Sequence, residues 1–235
     1  MLDYYLDCEF IECAKQRRVL GVALGQPVPT IDLISLGLVA DDGREFYALN
    51  RECELAYAWA DEWVRKHVLL PLYNDHIGAK PQYKQVYAGI GQKFMPAFTL
   101  STMRSLFALQ GKTRSEIAFD LLRFVYPGTF EAFFDGVDRY MKGPFPGPEV
   151  RFFTHYGAHD WVVMTQLFGR LVDLPEGFPM FNYDLKALEE LMKFPHELRP
   201  PEPAQAHNAL ADARWNRDLH RAMLRQTSQP VATPA

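Results

Sequence analysis

The chain has 235 residues, 48% of them hydrophobic and 23% charged, so it can bury a substantial core and is not fibrous, collagen-like or disordered as a whole. Its formal net charge of −4 argues against a protein that coats duplex nucleic acid through a general positive field. That charge is compatible with carboxylates that bind divalent cations, since the bound cations then supply local positive charge.

The cysteines and the apolar segments of the sequence indicate the cellular compartment in which the protein is expected. Cys8, Cys13 and Cys53 form no metal-type pair and predict reduced thiols in a cytoplasmic protein. Acidic residues interrupt the N-terminus where a signal peptide would need an apolar core, and no apolar run has membrane-spanning length. We therefore expect no membrane partner.

The first fifty residues predict an antiparallel meander. Residues 2–10 carry apolar and aromatic side chains at alternate positions, and residues 31–40 are heavily apolar, which is typical of buried strands. Asp-Asp-Gly at 41–43 predicts a tight turn because Gly supplies a positive φ, and 45–50 is predicted to return as a third strand. The Gly- and Pro-containing residues 12–30 are interpreted as a loop between the first two strands.

The rest of the chain predicts helices and one more strand. Thr113 and Glu116 have the spacing of a capping box ahead of an apolar stripe that reaches Val125. Further helices are predicted over 55–67, 130–141, 161–171, 184–194 and 208–225, with a strand over 150–154. Residues 1–225 are expected to form one α/β domain in which 71–112 is an insertion, followed by a disordered tail over 226–235.

Asp7 and Glu9 are the first candidate functional residues. They are two positions apart on a predicted strand, so both side chains project from the same face. Two carboxylates this close repel each other unless a cation lies between them. An exposed Asp-x-Glu on an edge strand is the alternative, since acidic residues are normally at the surface. The apolar residues on both sides, 4–6 and 10–11, favour a buried strand.

Further candidates lie in the second half of the chain. Asp160 follows a Gly-containing loop and opens a helix, where a helix N-cap is the structural alternative. Asp184 has the same alternative, and we assign it a structural role. Asn208 is predicted to be the N-cap of the last helix, which places His207 on the preceding loop and Asp212 in the second turn. An exposed loop histidine and a solvated helix aspartate are the alternative for that pair.

The order and spacing of these residues resemble a known family. An Asp-x-Glu pair on a first strand, an Asp after a Gly-bearing loop and His-x-Ala-x-x-Asp at a C-terminal helix are similar to the motifs of the DEDDh 3′-5′ exonucleases, in the ribonuclease H-like superfamily. The surrounding residues look most like the small mycobacterial-type bacterial and phage exoribonucleases. The similarity lies in residues 5–12, 33–39, 42–47, 156–160 and 207–213.

This resemblance implies a fold and a reaction. The fold would be α/β, with a ribonuclease H-like mixed five-stranded sheet flanked by helices and with insertions. The reaction would release nucleoside 5′-monophosphates from the 3′ ends of single-stranded or overhanging RNA. Two divalent cations, Mg²⁺ or Mn²⁺, would lie about 4 Å apart at the scissile phosphate. Compact relatives imply a homodimer.

The resemblance also implies residue roles. Asp7 would bridge both cations, Glu9 and Asp212 would complete the cation on the nucleophile side, and Asp160 would support the other. His207 would be the general base, for which an ordinary imidazole pKa is suited. Cys8 stands where the family commonly has Thr or another small residue. The 12–30 loop is longer than in the compact members of the family, and residues 71–112 are an insertion relative to them.

The sequence defines the contacts with the substrate and the preference for RNA or DNA less clearly than it defines the acidic residues. Phe10 and Ile11 are candidates for packing against the terminal base, with core packing as the alternative. Lys15, Arg17 and Arg18 are candidates for contact with backbone phosphate. A DNA-directed exonuclease of the same chemistry and a non-catalytic nucleic-acid-binding module are the alternative functions. Four mutually repelling acids argue against the binding module, which has no need to keep them together.

Overall fold

The fold is built on one mixed five-stranded sheet. The computed structural model describes residues 2–20, 22–78, 96–128, 148–204 and 207–227. The strands are β1 (Leu2–Val19), β2 (Val22–Ala40), β3 (Glu45–Leu49), β4 (Val150–Thr154) and β5 (Tyr183–Asp184). Their order is β3-β2-β1-β4-β5, with the first three strands antiparallel and with β4 and β5 parallel to β1. This confirms the predicted α/β class and mixed sheet, and it is compatible with a ribonuclease H-like fold.

Helices cover both faces of the sheet. They are α1 (Leu55–Ala60), α2 (Glu62–Val64), α3 (Leu70–Tyr73), α4 (Leu100–Gln110), α5 (Arg114–Val125), α6 (Ala158–Thr165), α7 (Leu185–Met192) and α8 (Ala209–Thr227). A π-helical stretch, Arg65–Leu69, joins α2 to α3, and a second, Asn74–Gly78, follows α3; together these elements form a continuous run, the 62–78 segment. Within the described ranges, no helix combines the length and the apolar character needed to cross a membrane.

Capping residues explain several helix boundaries. The capping box of α5 is confirmed, because Thr113 accepts from the Glu116 backbone N–H and the Glu116 side chain accepts from that of Thr113. The predicted continuous helix over 55–67 is wrong, because Asp61 ends α1 and caps α2 by accepting from the Val64 N–H. The predicted helix over 161–171 is misplaced, because α6 begins after the N-cap Gly157 and ends at Thr165.

The predicted boundary between the last helix and the C-terminal tail also changes. Helix α8 continues to Thr227, so the first two residues of the predicted disordered tail are helical. The predicted helix over 130–141 and the remaining tail, 228–235, lie outside the described residues.

The predicted loop over 12–30 is wrong, because β1 and β2 continue through it as a two-stranded ribbon. Cross-strand pairing runs from Glu12–Ile31 to Val19–Val22, beyond the part of the sheet to which β3 and β4 are paired. Pro29 is tolerated because a ribbon of two strands has unpaired outer edges. Gly25 has φ 75° beside a shift of register, so the residue types that suggested a loop mark an irregularity within the ribbon.

Three apolar clusters place the strands and the helices relative to one another. On one face of the sheet, Tyr4, Leu6 and Cys8 of β1 pack in a cluster with residues of α5 and α6. On the other face, Tyr5 and Val39 pack with α7 and α8. A third cluster joins Ile11, Ile34 and Leu49 to the 62–78 segment and α4, so described parts of the predicted insertion supply core residues. Strand alternation puts Cys8 opposite the face that carries its two acidic neighbours.

Candidate active site

Asp7 and Glu9 lie on β1 where the sheet narrows. Asp7 is paired with Gly37 and Glu9 with Ser35 on β2, and a register irregularity follows Glu9. Glu9 is only 8% exposed. The pair therefore lies on a central strand, and the alternative of an exposed edge strand is excluded.

Helix α8 reaches this pair because Gly37 has no side chain. A Cβ at Gly37 would overlap the backbone carbonyl of Ala209, in the first turn of α8. Farther along the same helix, the buried Asn216 donates through Nδ2 to the Leu6 carbonyl at 3.0 Å. These contacts place α8 across β1, so that Asp212 faces the strand pair. Asp212 lies in the first turn of the helix and not in the second, as was predicted.

The three carboxylates converge. One ligand oxygen from each of Asp7, Glu9 and Asp212 can be chosen so that all three lie within 4.8 Å of one another. Such an all-oxygen set is what hard divalent cations prefer in proteins. Asp212 is far from Asp7 and Glu9 in sequence, and the fold brings its carboxylate to the strand pair.

Asp160 approaches the strand pair from the opposite helix layer. Strand β4 pairs only with residues 2–5 of β1, so the backbone N–H of Cys8 extends beyond that pairing. The Oδ1 atom of Asp160 accepts from this N–H at 3.0 Å, and Asp160 is 6% exposed. The N-cap alternative for Asp160 is excluded, because Gly157 is the N-cap of α6 and Asp160 is its third residue.

The electrostatics of the four acids are unfavourable. Burial is the largest cause that raises each pKa, to about 8 for Glu9, about 7 for Asp160 and about 6 for Asp212. The pKa of Asp7 is raised well above its ordinary value by burial and then by the charges of Asp160, Glu9 and Asp212. Neighbouring carboxylates thus repel the very charge that burial already penalises. A bound divalent cation would relieve both effects.

His207 lies on the turn immediately before α8. Its φ is 64°, and its ring contacts the ring of Trp63 with centroids 4.8 Å apart and that of His67 at 6.1 Å. Burial, followed by the charge of His67, lowers the pKa of His207. The backbone N–H of His207 also contributes to holding the Asp212 carboxylate. Its predicted role as general base stays a prediction.

The predicted base-contacting residues differ in accessibility. Ile11 is 4% exposed and belongs to the third core cluster, which favours the core-packing alternative. Phe10 is partly buried, and its ring meets that of His159 edge-on with centroids 5.4 Å apart. Contact between Phe10 and a terminal base stays a prediction.

Several charged side chains near the site have protein partners. On α8, Arg214 pairs with Glu45 at 2.6 Å and Arg221 pairs with Asp41 at 3.0 Å. Lys15 lies 3.3 Å from the buried Asp32. The side chains of Arg17 and Arg18, proposed for phosphate contact, lie outside the described part of the structure.

The structural roles predicted for two polar residues are confirmed. Asp184 caps α7 by accepting from the Lys186 and Ala187 backbone N–H groups, and it also accepts from Gly157. Asn208 accepts from the N–H groups of Leu210 and Ala211 in the manner of an N-cap.

Two positioning residues were missed by the sequence analysis. A glycine within an apolar strand is a recognised signal of close backbone approach, and Gly37 carries that signal. Asn216 sits on the face of α8 that meets the sheet and carries no comparable signal.

Comparison with known proteins connects this site to a family. No family model matches the chain. The 3′-5′ exoribonucleases of two strains of Mycobacterium tuberculosis are each 30% identical to it over 211 residues, which cover 90% of this chain and 86% of the relative. With that identity over nearly the whole of both proteins, the chain belongs to the family of these 3′-5′ exoribonucleases.

Proposed function

We propose that this chain is a metal-dependent 3′-5′ exoribonuclease of the DEDDh type that releases nucleoside 5′-monophosphates from RNA 3′ ends. The observation that carries the proposal is the convergence of the half-buried Asp7 and Asp212 with the buried Glu9, with Asp160 adjacent. The names of the relatives support RNA as the substrate.

The residues present fit divalent cations. Asp7, Glu9 and Asp212 would hold one Mg²⁺ or Mn²⁺, and Asp160 would join Asp7 in holding a second. When bound, such cations neutralise charge on the scissile phosphate and favour deprotonation of water. The neighbours that raise the pKa of Asp7 are three further carboxylates, so a cation is the charge that this site lacks.

The protein's own groups would orient the reactants and move the proton. His207 would accept the proton of the attacking water at an imidazole nitrogen. Because its pKa is lowered, the ring is neutral near pH 7 and able to accept. The Asp212 carboxylate is oriented by the backbone N–H of Asn208 at 3.1 Å. Phe10, beside the cluster on β1, would pack against the terminal base.

The proposal is tested with matched RNA and DNA oligonucleotides labelled at the 3′ or the 5′ end, in Mg²⁺, Mn²⁺ or EDTA. We expect a ladder that shortens from the 3′ end of RNA, requires the metal and is abolished in Asp7→Asn. Equal shortening of DNA would favour the DNA-directed alternative. RNA binding without hydrolysis by the wild type in either metal would favour the non-catalytic module.

Two predictions from the sequence extend this proposal. The homodimer implied by the compact relatives is tested by light scattering of the full chain, where a monomer mass would reject it. The cytoplasmic location rests on the three cysteines, all free thiols in the structure.

A further inference from the structure

The 62–78 segment lies against the turn that precedes α8. Trp63 contacts the ring of His207, with centroids 4.8 Å apart. Near the other end of the segment, Oδ2 of Asp75 accepts a hydrogen bond from Nδ2 of Asn208 at 2.9 Å. The segment therefore contacts both residues of the turn, one through a ring and the other through a carboxylate.

Asn208 links Asp75 to the carboxylate cluster. Its Oδ1 accepts from Leu210 and Ala211 at 3.2 and 3.1 Å, and its backbone N–H donates to Oδ2 of Asp212 at 3.1 Å. An asparagine amide donates only through its nitrogen and accepts only through its oxygen. A carboxylate acceptor at position 75 therefore fixes the amide with its oxygen toward the helix and keeps the cap in place.

The turn needs such support because its backbone is strained. His207 has φ 64°, a left-handed conformation that is unfavourable for a non-glycine residue and persists only where the surroundings hold it. Trp63 and Asp75 supply those surroundings from two points of one segment. Without them the turn could relax and rotate the N–H groups away from Asp212.

The 62–78 segment is anchored independently of this turn. Leu72 and Tyr73, which precede Asp75, are buried in the third core cluster. Next to Asp75, His76 stacks on Tyr47 with centroids 6.0 Å apart and its Nδ1 lies 2.6 Å from Oε1 of Gln110. Asp75 is thus held in a fixed place and can impose a geometry on Asn208.

We infer that Asp75 is a positioning residue that acts through Asn208 to orient Asp212 for cation binding and hydrolysis. The inference rests on the proposed function for its effect on turnover, but not for its effect on cation binding. It assigns a role to a residue of the predicted 71–112 insertion.

The test compares Asp75→Ala, Asp75→Asn and the control Glu62→Ala, an exposed residue of the same segment. Asp75→Ala should lower kcat and Mn²⁺ affinity by about 10-fold, the lower end of the loss for a direct partner of a metal ligand, because Asp75 acts through Asn208; KM should stay within about 2-fold. Asp75→Asn should restore most of both, because its amide oxygen still accepts from Asn208. The control should match the wild type.

A double-mutant cycle tests the route through Asn208. If Asp75 acts only through that residue, Asp75→Ala combined with Asn208→Ala should lose no more kcat than Asn208→Ala alone. Additive losses would overturn the inference. So would an Asp75→Ala protein with wild-type kcat and wild-type Mn²⁺ affinity. Should Asp75→Ala not fold, Asp75→Leu removes the acceptor and keeps a branched side chain of similar size.

Failure of the proposed function is distinguishable from failure of this inference. A wild-type protein that binds Mn²⁺ but leaves RNA intact would reject the exoribonuclease proposal. Calorimetric Mn²⁺ affinities of the wild type, Asp75→Ala and Asp75→Asn would still decide whether Asp75 orients the site. Weaker binding in Asp75→Ala that recovers in Asp75→Asn supports the inference, and equal binding in all three overturns it.

Discussion

Replacing Glu9 by Gln should stabilise the metal-free protein. Glu9 is 8% exposed, and its pKa is raised from 4.5 to about 8 by burial and then by the charges of Asp212 and Asp160. At pH 7 this difference between the folded and unfolded states costs the wild type roughly 3 kcal/mol of stability. Gln keeps the shape of the side chain without its charge. Because the neighbouring acids share protons with Glu9, we expect a gain of about 1–3 kcal/mol in the free energy of unfolding.

The sign of the pH dependence follows from the raised pKa. Between pH 4.5 and about 8 the folded wild type binds more protons than the unfolded chain at Glu9. The contribution of this group therefore makes the free energy of unfolding fall as the pH rises through that range. The advantage of Glu9→Gln should be below about 1 kcal/mol at pH 5 and largest at pH 8 and above.

Urea unfolding followed by tryptophan fluorescence measures this difference. The experiment is run in EDTA at pH 5 and pH 8, with Glu176→Gln as the control because Glu176 is exposed. Saturating Mn²⁺ is then added to each protein. A ligand that binds only the folded state stabilises it, so Mn²⁺ should raise the free energy of unfolding of the wild type more than that of Glu9→Gln. The difference in stability between the two proteins should therefore become smaller or change sign.

Two results would refute the reasoning. If Glu9→Gln is less stable than the wild type at pH 8 in EDTA while the control is unchanged, the charge of Glu9 is not unfavourable in the folded protein. If Mn²⁺ stabilises the wild type and Glu9→Gln equally, Glu9 is not a ligand. The first result removes the electrostatic argument for a cation at this site, and the second removes Glu9 from the proposed ligands.

Two further predictions concern the general base and the approach of α8. His207→Ala should lower kcat on the order of 10²–10⁴-fold with RNA binding retained. The side chain of His159 is 51% exposed, and His159→Ala should lower kcat far less. A larger loss of kcat in His159→Ala than in His207→Ala would assign the general base to His159. Gly37→Ala should lower the free energy of unfolding by about 1–3 kcal/mol and weaken Mn²⁺ binding measured by calorimetry, because a Cβ would push α8 away from Asp7. Gly128→Ala is the control, since open space surrounds that glycine, and wild-type Mn²⁺ affinity in Gly37→Ala would exclude this role.

Features that depend on a few neighbouring residues could be predicted from the sequence. The central strands are set by apolar alternation, and the turn at Gly43, where φ is 91°, is set by the residue type. The capping box at Thr113 is a four-residue pattern and forms as predicted. The shared face of Asp7 and Glu9 follows from strand geometry alone.

Features that depend on distant parts of the chain could not be predicted. The ribbon over 12–30 was hidden because Gly and Pro signal loops and register irregularities alike. The break at Asp61 depends on a cap that competes with a continuous apolar stripe. The position of His207 against Trp63 depends on packing between residues 144 positions apart in the chain (207 − 63).

The acids identify the chemistry of the site, but residues without charge determine its geometry. The Asp-x-Glu pair on β1 would lack Asp212 if Gly37 carried a side chain, because α8 could not approach closely enough to bring Asp212 to it. Asn216 fixes that helix on the strand, and Asn208 fixes the carboxylate within the helix. The acids repel one another, so bringing them together lowers the stability of the folded protein. A bound cation offsets that loss. A sequence that keeps all four acids but lacks Gly37, Asn208 and Asn216 should therefore fail to bind the cation.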